Sequence, residues 1–180
     1  LAGKVVTSSD PRFKEGDAVL ITGCGSGENR DGGYSQLQQV DPDSLVALPQ
    51  GLTLRESMIL GTAGFTAALA IHRMEQMGQE PNKGPIVVTG ASGGVGNFAV
   101  NMLASRGYDV VAVSGKPEQK GMLVELGAKE VVSSAELALG TRPLERGRFG
   151  GAIDNVGGEV LAGLLASVNL WGNIASVGLA

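Results

Sequence analysis

The feature that most constrains this fold is a glycine-rich loop between an apolar run and a helical pattern. Residues 86–89 form a short β-prone run, and Gly90-Ala91-Ser92-Gly93-Gly94-Val95-Gly96 follows directly. From Val95 to Ser105, apolar residues recur at helical spacing. The pattern predicts a strand, a tight turn and a helix, in that order, with glycines where the backbone turns sharply or approaches another group closely.

A loop in this setting is typical of a site that binds the pyrophosphate of a dinucleotide. The amides at a helix N-terminus meet the phosphate charge, and Cβ atoms in the loop would block the close approach. In the frame G-x-G-x-x-G, Ala91 stands in the first glycine position, and Gly93 and Gly96 hold the other two. The alternative interpretation is a strand-to-helix turn with a structural role alone.

The spacing T-G-x-x-x-G-x-G, typical of short-chain dehydrogenases, also fits the stretch from Thr89 to Gly96. Those enzymes need a Tyr-x-x-x-Lys pair further along the chain. The downstream tyrosine is Tyr108, and the residue four positions later is Ala112. We therefore reject the short-chain interpretation.

The end of the second predicted strand indicates which dinucleotide would bind. An NAD site places Asp or Glu about 20 residues past the loop, where it bonds the ribose 2′-hydroxyl. Here Val110–Val113 is followed by Ser114-Gly115-Lys116, with no carboxylate. Lys116 would attract a 2′-phosphate that an acidic group would repel, so the segment predicts NADP(H), with Ser114 and Lys116 at that phosphate. The alternative is a solvated lysine at a helix start.

Alternating strand and helix patterns follow the loop. Apolar runs lie at 110–113, 130–132, 151–156 and 174–177, and helical patterns lie at 118–126 and 159–168. Near-continuous apolar strands joined by helices are typical of a parallel sheet covered on both faces. The sequence therefore predicts an α/β fold with a doubly wound Rossmann sheet.

The first fifty residues favour β-structure of another kind. The short β-prone runs are Val5–Thr7, Ala18–Thr22, Tyr34–Val40 and Leu45–Ala47. Turn clusters separate them, which predicts part of a β-barrel.

A change of period follows at Thr53. Thr53 and Glu56 have capping-box spacing, which predicts a helix over residues 54–60. Glycines at 61 and 64 predict a break before a second helix over residues 66–77. We divide the chain into a partial barrel at 1–53, linking helices at 54–83 and a cofactor domain at 84–180.

Composition excludes several classes of function. A net charge of −4 gives no basic footprint for nucleic acid, and no apolar run approaches the roughly 18 residues of a membrane span. One Cys (Cys24) and one His (His72) do not supply a Cys/His zinc site. We expect a cytoplasmic protein without nucleic-acid or membrane partners. Since the chain starts at Leu1 and stops just after an apolar run, we also expect a truncated fragment of a longer protein.

Several stretches together carry a family resemblance. They are Ser9–Phe13, Gly27–Asn29, Gly61–Ala67, Gly90–Gly96, Ala112–Lys116 and Gly151–Gly157. With the β-rich start, they resemble the medium-chain dehydrogenase/reductase superfamily, and within it the quinone oxidoreductase branch and its acryloyl-CoA reductase-like group.

The resemblance implies a two-domain subunit, with a GroES-like barrel and a Rossmann NADP-binding domain that lacks its last strand here. It implies NADPH-dependent reduction, without zinc, of an activated C=C bond in a small molecule such as acryloyl-CoA, a related enoyl thioester, an enone or a quinone. It further implies a homodimer for the full-length protein and an inactive isolated fragment. The alternative function is a non-catalytic NADPH-binding module or redox sensor.

The resemblance also implies where the cofactor would bind. Its pyrophosphate would lie at the glycine loop, its 2′-phosphate after the second strand, its adenosine end after the third, and its nicotinamide side at the ends of the fourth and fifth strands. The expected cofactor-binding residues are Thr66, Ser92, Gly93, Gly94, Val95, Gly96, Asn97, Ser114, Gly115, Lys116, Ser134, Val156 and Gly178. The sequence identifies no proton donor.

Overall fold

A computed structural model describes residues 1–137, 139 and 146–178. The chain divides into two compact units, Leu1–Thr62 and Ala63–Ala180. The division into segments 1–53, 54–83 and 84–180 stays a prediction.

The first unit contains a small antiparallel sheet. Its strands are β1 (Ala2–Lys4), β2 (Ala18–Leu20) and β3 (Val46–Ala47), paired in that order. The expected strand at Tyr34–Val40 does not form, and Tyr34 is fully exposed. Strand propensity reflects packing against a neighbouring strand, and the described residues pair no strand with this run. The partial GroES-like barrel stays a prediction.

Helix α1 (Leu54–Gln76) passes from the first unit into the second. The capping box at its start is confirmed, because Thr53 N donates to Glu56 Oε2 at 2.8 Å and Glu56 N donates to Thr53 Oγ1 at 3.1 Å. The backbone bond from Thr53 lowers the pKa of Glu56. The predicted break is narrower than expected, since non-helical backbone angles occur at Gly61 alone (φ 49°, ψ −154°).

The second unit is built on a five-stranded parallel sheet. The strands are β4 (Ile86–Val88), β5 (Val110–Val113), β6 (Glu130–Val132), β7 (Phe149–Asp154) and β8 (Val168–Ser176), in the spatial order β6-β5-β4-β7-β8. The helices between them are α2 (Gly94–Ser105), α3 (Lys120–Glu125) and α4 (Gly158–Ser167). This is the strand order of a doubly wound sheet, so the Rossmann prediction is confirmed.

Both faces of the sheet are covered, as the apolar strand patterns predicted. Ile86 and Val88 of β4 pack in one cluster with residues of α1, α2 and α3, such as Leu103. Val87 belongs to a second cluster on the other face, with Leu164 of α4. Successive strand residues therefore point to opposite faces, and each face meets its own helices.

Strand β8 departs from the prediction. It begins at Val168 rather than at Ile174, and its pairing with β7 shifts between Phe149 opposite Val168 and Gly151 opposite Asn173. The intervening residues bulge outward, and Trp171 has φ 65° with 82% of its surface exposed. The shifted pairing therefore leaves this large apolar side chain on the surface.

Candidate functional site

The site lies where the two halves of the sheet diverge. From the central pair β4 and β7, one half of the sheet continues through β5 and β6 and the other through β8. In open α/β sheets, ligands bind at this switch point, outside the carboxyl ends of the strands. Two segments meet there, residues 89–96 after β4 and residues 155–157 after β7.

A buried hydrogen-bond network joins these two segments. Thr89 Oγ1 donates to Asp154 Oδ1 at 2.6 Å, and Asn155 N donates to Thr89 Oγ1 at 2.9 Å. Asn155 Nδ2 also donates to the Thr89 carbonyl at 2.8 Å. Thr89 is 1% exposed and Asp154 is 0% exposed. The network therefore fixes the ends of the two central strands relative to each other.

The Asp154 carboxylate also organises the turn that follows it. Oδ2 accepts from Gly157 N at 2.8 Å, and Oδ1 accepts from Val156 N at 3.3 Å. Helix α4 begins at Gly158, so the carboxylate lies at a helix N-terminus, where the helix dipole favours negative charge. The sequence reasoning assigned no role to Thr89 or Asp154. The available signal was a polar residue at the end of each buried apolar run.

The glycine loop is packed too tightly for side chains at its last glycine. Gly90 has φ 56°, and Gly93 N donates to the Gly90 carbonyl at 2.9 Å. A Cβ on Gly96 would overlap the Gly90 carbonyl oxygen and lie 2.6 Å from Ala91 Cα. Helix α2 can therefore approach the turn this closely only with glycine at position 96.

The N-terminus of α2 is open. Its N-cap residue, Gly93, provides no side-chain hydrogen bond, and the first turn contains no acidic residue. The first amides of a helix have no acceptor within the helix. At α4 the N-cap glycine, Gly157, likewise provides no side-chain hydrogen bond, but the first turn contains the acidic residue Glu159. The open end of α2 is thus the one suited to a phosphate group.

Val95 and Asn97 lie in the first turn of α2. Val95 is half-buried and packs against the core cluster, so its backbone rather than its side chain faces the helix end. Asn97 N donates to the Gly93 carbonyl at 2.9 Å, and its Oδ1 is buried without a hydrogen-bond partner. Val95 would therefore serve a ligand chiefly through its backbone amide, whereas the Asn97 amide is already bonded within the helix.

Helix α1 runs past the same loop. A Cβ on Gly94 would lie 3.3 Å from Ala63 Cβ, so the two backbones are close. Thr66 follows Ala63 by three residues, about one helical turn, and is half-buried. The structure thus brings the helix that carries Thr66 to the glycine loop.

The predicted 2′-phosphate residues form a connected group with the loop. Ser114 Oγ lies 3.0 Å from Ser92 Oγ, and Lys116 N donates to Ser114 Oγ at 3.1 Å. Gly115 and Lys116 are exposed, and Lys116 has no ion-pair partner among the residues described. This places an unpaired positive charge three residues past β5, beside the loop.

The residues expected on the nicotinamide side also come together. Gly178 N donates to the Asp154 carbonyl at 3.1 Å, and a Cβ on Gly178 would overlap the Asn155 carbonyl oxygen. Val156 Cγ2 lies 3.8 Å from the point where a Cβ on Gly90 would be. Both residues therefore lie at the carboxyl edge of the sheet, beside the glycine loop.

Ser134 is the expected site residue that the structure leaves apart. It is exposed in a turn after β6. Its neighbour Ser133 makes the hydrogen bonds of that turn, with N and Oγ both donating to Glu136 Oε2, at 2.7 and 2.8 Å. Within the described part of the chain, no hydrogen bond joins Ser134 to the loop.

The described residues offer neither a metal site nor a membrane-spanning helix. No group of three or more His, Cys, Asp or Glu residues is placed to hold a metal ion. No helix has the length and apolar character needed to cross a membrane.

The sheet order, the open helix end and the glycine packing define a dinucleotide-binding unit of the Rossmann class. Residues 94–180 match the family described as zinc-binding dehydrogenase. Acrylyl-CoA reductase AcuI of Ruegeria pomeroyi is 48% identical over 180 residues, which is 99% of this chain and 54% of that protein. The chain is similar to members of the medium-chain dehydrogenase/reductase superfamily, as the sequence motifs indicated.

Two solved structures resemble the chain closely. The yhdH oxidoreductase of Salmonella enterica, in complex with NADP, has a TM-score of 0.94 at 51% identity, over 99% of this chain and 55% of that one. Bacillus subtilis protein yhfP, with NAD bound, has a TM-score of 0.94 at 52% identity, over 99% of this chain and 54% of that one. The chain thus spans about half the length of the relatives it matches.

Proposed function

We propose that this chain forms the NADP(H)-binding unit of a reductase that acts on an activated C=C bond. The observation that carries the proposal is the open N-terminus of α2 beside the linked group Ser92, Ser114 and Lys116. The relatives support the reaction class, since one is named an acrylyl-CoA reductase and another is an oxidoreductase in complex with NADP.

The chain's residues fit a dinucleotide with a 2′-phosphate. The amides of Gly94, Val95 and Gly96 would donate to the pyrophosphate, with Gly93 and Asn97 completing the turn. Ser92, Ser114 and Lys116 would hold the 2′-phosphate, since hydroxyls and an ammonium group suit a dianion. Exposed Gly115 leaves room there, because a Cβ on it would have no atom within 4 Å.

The nicotinamide half would lie in the crevice between the ends of β4 and β7. Thr66, Val156 and Gly178 would line it, and Ser134 would lie towards the adenosine end. When bound, NADPH supplies the hydride that reduces an electron-poor double bond. The chain's residues at the ends of β4 and β7 would hold and orient the nicotinamide ring.

The proposed substrate is a small molecule in which a carbonyl group activates the double bond. Acryloyl-CoA, a related enoyl thioester, an enone and a quinone share this chemistry. Hydrogen-bond donors would stabilise the enolate formed on hydride addition. The whole protein's substrate, its homodimeric state and its cytoplasmic location stay predictions.

We further propose that the reaction proceeds without zinc. The chain contains one Cys and one His, whereas zinc sites use three or four protein ligands drawn mainly from Cys, His and carboxylates. Metal analysis of the purified full-length protein tests this. Stoichiometric zinc that is required for turnover would overturn it.

Parallel titrations with NADPH and NADH test the cofactor proposal. We expect tighter binding of NADPH, with a preference that weakens as salt screens Lys116. Equal affinity for both, in line with the NAD-bound relative, would overturn the 2′-phosphate assignment. Turnover of acryloyl-CoA, small enones and quinones by the full-length protein then tests the reaction, and inactivity towards all three classes would contradict it.

A further inference from the structure

We infer that Asp154 is a positioning residue for the nicotinamide half of the cofactor, acting through the turn Val156–Gly157. The inference rests on the proposed function. It concerns a buried carboxylate to which the sequence reasoning gave no role, at the switch point of the sheet.

The first step is the burial and bonding of the carboxylate. Asp154 is 0% exposed, and all three of its side-chain partners are donors: Thr89 Oγ1, Val156 N and Gly157 N. No Lys or Arg forms an ion pair with it among the residues described. Its hydrogen bonds therefore go to the segments that flank the crevice.

The second step is what those bonds hold in place. Oδ2 holds the Gly157 amide, where the backbone has φ 83° and turns into α4. Oδ1 holds Thr89, the residue immediately before the glycine loop. One carboxylate thus fixes residues on both sides of the crevice. Val156 lies in the turn that this carboxylate holds.

The third step is that the residues proposed for the 2′-phosphate form a separate hydrogen-bonded group. Ser92, Ser114 and Lys116 bond to one another, and in the described part of the chain they make no hydrogen bond to Asp154 or its side-chain partners. A change at Asp154 should therefore affect the nicotinamide end and spare the adenosine end. A purely structural role for the residue would affect both ends together.

The test compares two ligands on two proteins. Affinities for NADPH and for adenosine 2′,5′-bisphosphate, which lacks the nicotinamide half, are measured on wild type and on Asp154→Asn. The Asn amide places a donor against the Gly157 N–H, so that bond is lost while Oδ1 remains for Thr89. We expect NADPH affinity to fall about tenfold or more, with the bisphosphate affinity within about twofold of wild type.

Thr89 provides a matched pair of variants. Thr89→Ser keeps the hydroxyl and should bind NADPH like wild type. Thr89→Val removes it and should repeat the selective loss. If Asp154→Asn does not fold, this pair carries the test, because it changes the same network from the other strand.

The possible results separate the two proposals. Wild-type protein that binds neither ligand would overturn the proposed function itself. Wild-type binding of both, with equal losses or no loss in the variants, would overturn the positioning role alone. The positioning role would be supported if Asp154→Asn and Thr89→Val lose affinity for NADPH alone and Thr89→Ser binds NADPH like wild type.

Discussion

Thr89 Oγ1 donates to Asp154 Oδ1 at 2.6 Å, across 65 positions of sequence and between the two central strands of the sheet. Both side chains are buried. Each lies just where its strand ends and the chain turns towards the crevice. The pair therefore links the geometry of the glycine loop to that of the turn after β7.

Replacing Thr89 with Val should destabilise the protein. The substitution keeps the shape but leaves the buried Asp154 carboxylate and the Asn155 amide short of a partner, at a cost of about 1–3 kcal/mol. Urea unfolding measures the change. Ser105→Ala is the control, because that hydroxyl bonds a helix carbonyl at an exposed position, and equal losses in the two variants would contradict the prediction.

Replacing Gly96 with Ala should also destabilise the protein, although alanine favours helices. The added Cβ would meet the Gly90 carbonyl oxygen and Ala91 Cα, and overpacking of this kind costs about 1–3 kcal/mol. Gly121→Ala is the matched control, since a Cβ there meets no atom within 4 Å. We expect that control to gain up to about 1 kcal/mol. A thermal melt of Gly96→Ala that matches wild type would show that the loop can relax.

Removing the charge of Lys116 should reduce the preference of the protein for NADPH over NADH. Lys116→Ala should weaken NADPH binding about tenfold or more and leave NADH binding unchanged, because only NADPH carries the 2′-phosphate. Lys129→Ala removes the same charge at the other end of the strands, where it pairs with Asp109 at 2.6 Å. An unchanged NADPH dissociation constant in Lys116→Ala would make this lysine an ordinary solvated residue.

Acid should weaken the first unit through Asp10. The side-chain hydrogen bonds from Arg12 lower the pKa of Asp10 from 3.8 to about 2. Because the folded-state pKa is depressed, the stabilisation is complete above pH 3.8 and is lost as the pH falls towards 2. Urea midpoints measured between pH 5 and 2, in about half-unit steps, should fall more steeply for wild type than for Asp10→Asn.

Asp31→Asn is the control for the acid experiment. Asp31 is exposed and has no ion-pair partner among the residues described. The urea midpoint of Asp31→Asn should therefore change with pH as the midpoint of wild type does. A profile of Asp10→Asn that also follows wild type would show that the contact with Arg12 does not survive in solution.

Local patterns were sufficient to predict much of the second unit. The strand over Val110–Val113 and the helix that starts near Gly94 follow from apolar periodicity and glycine placement, which act over a few residues. The bond between Thr89 and Asp154 joins positions far apart in sequence, so no local pattern identifies it.

Other departures have a similar cause. The run Tyr34–Val40 has strand propensity but no paired strand in the described chain. Trp171 has an apolar side chain, yet its positive φ and the shifted pairing of β8 leave that side chain exposed. In the site, the link between Ser92 and Ser114 brings together the ends of two neighbouring strands, which the motif positions alone did not specify.

The open N-terminus of α2 presents backbone amides instead of side chains. This determines which kinds of mutational scan could detect the site. Shortening side chains one at a time would leave those amides in place, so an alanine scan that skips glycines would score the loop as tolerant. A scan that adds side chains at Gly93, Gly94 and Gly96 would score the loop as sensitive. The function of this loop therefore depends on backbone amides and on the absence of Cβ atoms at its glycines, rather than on particular side chains.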